Sequence, residues 1–175
     1  MKDVNAVSTS LPAIRLVRPS FASVAEAELD AVHRYLLFLT GDRAVAEDLT
    51  GETFEKAFRA WRRFDPRRGT ARAWLCRIAR HAALDYFRSE ERRLRREDRY
   101  ARDVATEEPA WGEGALAAAL GELSPAEREV VALRVLLDLD GPTSARLLGI
   151  SQTACSTRLS RALKRLEEMM SDARV

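Results

Sequence analysis

The chain has little of the chemistry that catalysis needs. Among its 175 residues there are two cysteines, Cys76 and Cys155, and two histidines, His33 and His81. The cysteines stand in no metal-ligand spacing and lie on apolar helical stretches, so they read as small core residues rather than a disulfide or zinc site. So few cysteines fit a reduced, cytoplasmic compartment. Asp48 and Glu52 lie one helical turn apart, but no Gly-rich phosphate loop, nucleophile motif or metal spacing accompanies them. Neither catalytic residues, a metal, a cofactor nor a small-molecule substrate is therefore expected; the chain does not read as an enzyme. No stretch approaches the roughly twenty apolar residues of a membrane span, and the N-terminus lacks the apolar run of a signal peptide, so membrane insertion is not expected. A one-signed charge excess is also missing, since the net charge is only +2.

What the chain has is segregated charge. From Arg62 to Arg96 twelve arginines face four acids, a net of +8. From Asp103 to Glu129 seven acids face Arg128 alone, a net of −6. From Thr143 to Leu166 there are five basic residues and no acid. Two basic blocks around an acidic one suggest two nucleic-acid-facing modules and a connector. With 46% hydrophobic and 32% charged residues, the composition fits a helical protein with long charged faces.

The last fifth is the most specific stretch. Pro142 to Leu148 reads as a short helix, Gly149-Ile150-Ser151 as a turn, and Gln152 to about Met170 as a long helix capped by Ser151. Cys155, Leu159, Ala162, Leu166 and Met169 recur at steps of four and three and make one apolar face. The opposite side carries short polar and basic residues, which suit phosphates and base edges. This is the pattern of a helix-turn-helix, whose second helix can lie in a DNA major groove. Ahead of it, Ser124-Pro125-Ala126-Glu127 combines a capping Ser, a Pro at the first helical position and a capping-box Glu. Val130, Leu133 and Leu137 continue that helix's apolar stripe.

The first half predicts a helical bundle. Ala25 to Thr40 reads as a helix with Leu29, Val32, Leu36 and Leu37 inward and Gly41 ending it. Asp42 caps a second helix to about Trp61, with Val45, Leu49, Phe54, Ala57, Phe58 and Trp61 inward. A loop with Pro66 and Gly69 follows. Thr70 then caps a third, strongly basic helix to about Arg93, with Leu75, Ile78, Ala79, Ala82 and Tyr86 inward. Trp74 is read mainly as a core residue, with base stacking as the alternative.

At this point the residues carry a resemblance. Asp48 to Trp61 (DLTGETFEKAFRAW) resembles the polymerase-binding signature of bacterial sigma factors. Gly69 to His81 (GTARAWLCRIARH) resembles the stretch that follows it in the extracytoplasmic-function (ECF) group of the sigma-70 family. Leu123 to Val131 (LSPAEREVV) and Leu148 to Ser151 (LGIS) resemble that group's C-terminal module. The resemblance runs from about Phe21 to Met170. It implies an all-α protein of two small domains: a region 2 bundle over 21–97 and a region 4 helix-turn-helix over 122–172. A mobile tail over 1–20 would precede them, and a flexible acidic linker over 98–121 would join them.

The resemblance also implies roles. Asp48, Glu52, Phe54 and Arg59 would contact core RNA polymerase. Phe64, Arg67, Arg68, Arg77, Arg80, His81 and Arg88 would hold the −10 promoter element, the arginines without reading sequence. Melting there costs a few kcal/mol of unstacking. Gln152, Thr153, Ser156, Thr157, Arg158 and Arg161 would read the −35 element. The implied partners are core RNA polymerase, promoter DNA and an anti-sigma factor. The sequence departs from the family at Ser156, where relatives usually carry a basic residue. It departs again at Asp140-Gly141-Pro142-Thr143-Ser144, where an acidic, aromatic start is common. Both departures bear on which promoter is read. A stand-alone helix-turn-helix regulator, whose first module senses or dimerises, is the alternative; a polymerase-binding decoy is a third reading.

Overall fold

The structure is a computed structural model that describes residues 19–97 and 114–172. The expected tail lies outside the described residues up to position 18, as does the stretch 98–113 of the expected linker. Among the described residues every regular element is helical.

Local signals set the helix ends of the first bundle. Helix α1 (Phe21–Thr40) begins where Ser20 accepts the Ser23 N–H at 3.1 Å, four residues before the apolar pattern suggests. It ends at Gly41, whose φ of 70° gives the left-handed turn that only glycine adopts at no steric cost. Helix α2 (Arg43–Ala60) is capped by Asp42, which accepts the Val45 N–H at 3.0 Å. Thr50 and Thr53 lie buried on its inner face and donate their hydroxyls to the Ala46 and Leu49 carbonyls, which satisfies them. After a 3₁₀ turn (Trp61–Arg63) and a loop, α3 (Ala71–Glu97) starts with Thr70 accepting the Ala73 N–H. Leu75, Cys76, Ala79, Ala82 and Ala83 bury its inner face.

Two expectations for the first bundle fail. Leu29 is 47% exposed and Phe58 is 65% exposed. The buried stripe of α2 runs through Ala46, Leu49, Thr50, Thr53 and Ala57. Phe58, one residue past Ala57, is rotated about 100° off that stripe, given 3.6 residues per turn.

The second bundle contains four helices: α4 (Ala115–Gly121), α5 (Pro125–Val131), α6 (Gly141–Leu148) and α7 (Gln152–Asp172). The connector expected to extend to Gly121 therefore includes α4, which packs on α7 and buries Ala119. Alanine-rich sequence propagates a helix well, and small side chains let it lie close to a neighbour. The α5 capping box forms as its sequence predicts: Ser124 accepts the Glu127 N–H, and Glu127 accepts the Ser124 N–H at 2.9 Å. Beyond Val131 the chain continues through one wide π turn (Ala132–Leu136), closed by the Leu137 N–H on the Ala132 carbonyl.

The two bundles share a core. One cluster of buried side chains joins Val32, Tyr35, Leu36, Leu75 and Cys76 to Val130, Leu133, Leu137, Leu147 and Cys155. Helix α1 packs against α5 and the π turn, and α3 packs against α6. Leu133 is fully buried at that junction. Leu133→Ala should cost about 2–5 kcal/mol, the usual range for a fully buried Leu. A far-UV circular dichroism melt should show the drop, and because the core is continuous the helices of both bundles should melt in one lowered transition.

Candidate nucleic-acid and polymerase interface

The helix-turn-helix is built by caps. Asp140 accepts the Thr143 N–H at 2.7 Å and the Thr143 hydroxyl at 3.1 Å, which fixes the start of α6. Gly149, at φ 69°, turns the chain, and Ser151 accepts the Ala154 N–H at 3.1 Å to start α7. Cys155 and Ala162 anchor the inner face of α7. Opposite them Gln152, Thr153, Ser156, Thr157 and Arg161 are exposed and Arg158 is half-buried. Thr153, Thr157, Arg158 and Arg161 line a shallow groove of about 570 Å³ with Ser124 and Glu127. Glu127 also reaches Arg165 at 3.5 Å, which ties α5 to α7.

These caps hold charge. The Ser124 hydroxyl first, and its backbone N–H second, hold the Glu127 carboxyl below its ordinary value. The Thr143 N–H and then its hydroxyl do the same for Asp140. Cys76 is the reverse case: burial pushes its thiol up to about 12, so it is no nucleophile.

On the first bundle a cavity of about 350 Å³ opens between the loop and α3. Arg63, Arg68, Arg77 and Trp74 line it, and from the second bundle Thr143, Arg146 and Leu147 wall it. Arg67, Arg68, Arg77, His81 and Arg88 are exposed. Phe64 is not: it is 5% exposed, stacked on Trp61 at a centroid distance of 4.9 Å and tilted against Trp74 at 5.5 Å. Its ring belongs to the core because the loop folds back over α3, so it forms the cavity's floor. Trp74 is half-buried in the same aromatic stack, in line with its reading as a core residue.

Arg80 is not a free cation either. Its Nε donates to Glu129 Oε1 at 2.6 Å and its Nη2 to Oε2 at 3.3 Å, with both side chains under one-fifth exposed. Beside this pair Tyr35 is fully buried; burial, and then the Glu129 carboxylate, hold its phenol well above the ordinary value. Arg72 makes a second link, donating to Glu28 at 2.7 Å and to the Leu137 carbonyl at 3.4 Å. Neither link is legible in local sequence, since 49 residues separate Arg80 from Glu129. For Arg80–Glu129 the one sequence signal is the opposition between the basic block and the acidic block that ends at Glu129; Glu28 lies outside that block.

On α2, Asp48 is exposed, Glu52 pairs with Lys56 one turn on, and Arg59 pairs with Glu55 at 2.6 Å. Phe54 is half-buried against Phe21, at 6.4 Å between centroids. Among the described residues no group of His, Cys, Asp or Glu side chains could hold a metal, and no helix is long and apolar enough to cross a membrane.

Two family models match this chain. Sigma-70 region 2 covers residues 24–93 and Sigma-70 region 4 covers residues 113–166. The chain belongs to the sigma-70 family. It is 32% identical over 163 residues to the ECF RNA polymerase sigma factor BldN of Streptomyces coelicolor, covering 87% of this chain and 61% of that protein. It is 29% identical over 147 residues to the ECF RNA polymerase sigma factor SigM of Bacillus subtilis, covering 81% of this chain and 89% of SigM. The chain thus spans about three-fifths of BldN and most of SigM. Among solved structures, the sigma factor RpoE of Bartonella quintana, in complex with the anti-sigma factor NepR, superposes with a TM-score of 0.74 at 25% identity. That match covers 86% of this chain and 96% of RpoE. The region 2 match falls on α1 to α3, and the region 4 match takes in α4 to α6 and most of α7.

The depressed carboxyls of Glu127 and Asp140 set a pH dependence. A folded value below the unfolded one stabilises fully above the unfolded range, about pH 4, and is lost as pH falls through the folded value. In thermal melts Glu127→Ala/Asp140→Ala should therefore lie below the native chain at neutral pH, and the gap should close below about pH 4. A gap that stays constant into acid would deny both carboxylates their capping role.

Proposed function

We propose that this chain is an ECF-type RNA polymerase sigma factor that binds core RNA polymerase and directs promoter recognition, −10 melting and initiation. The carrying observation is the outer face of α7, where from Gln152 to Arg165 the helix itself carries polar and basic side chains and no acid, on a doubly capped helix-turn-helix. Short hydroxyl and amide side chains together with arginine suit base edges in the −35 element. The exposed row Arg67, Arg68, Arg77 and Arg88 suits the backbone of the −10 strand, with His81 beside it. On α2 the exposed Asp48 and the half-exposed Glu52 offer an acidic patch to a basic polymerase surface, with Phe54 and Arg59 flanking it. The protein supplies recognition and polymerase supplies the chemistry, so it acts in the cytoplasm and is no enzyme. An anti-sigma factor is its expected regulator, the kind of partner bound to the structural relative RpoE.

Run-off transcription with purified core polymerase, on DNA from upstream of the chain's own gene, tests this reading. Discrete transcripts should appear only with the protein present. Arg158→Ala/Arg161→Ala should weaken promoter binding by about tenfold or more, at ~1–3 kcal/mol per base-reading pair. Asp48→Lys/Glu52→Lys should weaken core binding by about tenfold, as like charges meet across the interface. Promoter binding with no affinity for core polymerase would instead indicate a stand-alone regulator.

A further inference from the structure

We propose that the cavity between the loop and α3 is a binding site for a small oligophosphate, a short chain of linked phosphates, held jointly by the two bundles. The proposal rests on the packing of the bundles and not on the sigma-factor reading.

The charge balance of the cavity carries it. Arg63, Arg68 and Arg77 of the first bundle and Arg146 of α6 line it, against the single carboxylate of Asp65. Elsewhere along α3 arginines are answered by acids: Arg72 by Glu28, Arg80 by Glu129, Arg88 by Asp85 and Arg95 by Glu91. Among the described residues no ion pair answers the four guanidiniums of the cavity. The Asp65 carboxylate accepts the Arg67 N–H at 3.0 Å instead, which ties it to the loop backbone. The other bundle adds to the excess rather than relieving it, because Arg146 Nη2 donates to the Thr143 hydroxyl at 3.1 Å and both residues stand in the cavity wall. Like charges repel more strongly where walls exclude water, and a bound polyanion reverses that term.

The lining also selects the anion. A guanidinium is a planar fork matched to phosphate oxygens. The four forks come from a 3₁₀ turn, a loop and two helices, so a chain that spreads its oxygens along its length suits them better than one compact phosphate. At about 350 Å³ the cavity lies at the low end of small-molecule sites, roughly 300–1,000 Å³. Ala73, Trp74 and Leu147 give it an apolar side, so a base carried on the chain would meet Trp74. Because both bundles supply walls, the ligand binds the packed arrangement and stabilises it by mass action. Arg146 separates this site from the row that suits a DNA strand, since that row runs along the first bundle and has no need of α6.

Isothermal titration of the full chain with inorganic triphosphate, ATP and orthophosphate tests the site, in magnesium-free buffer at about 0.15 M salt to screen long-range attraction. Triphosphate should bind one to one, at least about tenfold more tightly than orthophosphate, and should raise the melting temperature. Arg146→Ala should weaken triphosphate binding about tenfold, the loss of one charge-assisted contact. Arg92→Ala removes the same charge from an exposed site further along α3 and should change the affinity by less than about twofold. ATP binding more tightly than triphosphate would assign the nucleotide as ligand, and ATP binding no more tightly the inorganic chain; the site stands in both cases. Absence of triphosphate binding would overturn the proposal. So would equal affinity for orthophosphate, full affinity in Arg146→Ala, or an equal loss from Arg92→Ala. If Arg146→Ala loses helicity, Arg146→Gln takes its place under the same criteria. Failure of core polymerase to bind the chain would remove the sigma reading and leave all of these outcomes as they are.

Discussion

Everything here depends on one face of α1. Val32, Tyr35 and Leu36 are fully buried, and they face two ways: toward α2 and α3 of their own bundle, and toward α5 and the π turn of the other. Burying a large apolar side chain is worth about 1.5–3 kcal/mol, so three such residues anchor both bundles to one helix. A helix used on two sides must be apolar over a wide arc. Leu29 shows where that arc ends, because it is left 47% exposed. The wide π turn belongs to the same constraint. Val130 before it, Leu133 within it, and Leu137 and Leu139 beyond it all stay buried.

That apolar junction gives the charged residues their meaning. An exposed arginine–carboxylate pair contributes under about 1 kcal/mol, and pairs such as Arg59–Glu55 and Arg88–Asp85 are of that kind. Arg80–Glu129 differs because the junction removes water from it. A pair shielded in that way is costly to leave half-made, so it acts on specificity: it fixes which faces meet.

The caps were legible from sequence because they are local. Ser20 and Asp140 escaped the sequence reading, but Gly41, Asp42, Thr70, Ser124, Gly149 and Ser151 all act within three or four residues of where they stand. The helices and the helix-turn-helix followed from them and from the 3.6-residue period. What the sequence hid is tertiary. Phe64 reads as an exposed loop aromatic until the loop closes over Trp61 and Trp74. Phe58 reads as core until the buried stripe of α2 passes it by one residue. Arg80 reads as a member of a basic row, and only the packing of α5 on α1 brings Glu129 to it. Helix α4 was hidden differently: acidic and glycine neighbours give its stretch the composition of a connector, while its alanines carry the helix.

The outer face of α7 bears on the tethering to polymerase that the proposed function implies. Cys155 and Ala162 are small, so α7 sits close to the helices beneath it and its outer face is held rigidly. That face offers mostly short side chains at Thr153, Ser156 and Thr157, and only Arg158 and Arg161 reach far. Ser156 stands where relatives of the ECF group usually carry a base, so one phosphate or base contact is given up. With so few long side chains on that face, weak DNA binding by this helix alone is the expected outcome. Weak reading becomes useful when polymerase tethers both bundles to one promoter, since the second contact is then made at high effective concentration. A recognition element that is weak by itself can also rest against its own partner domain without a large penalty.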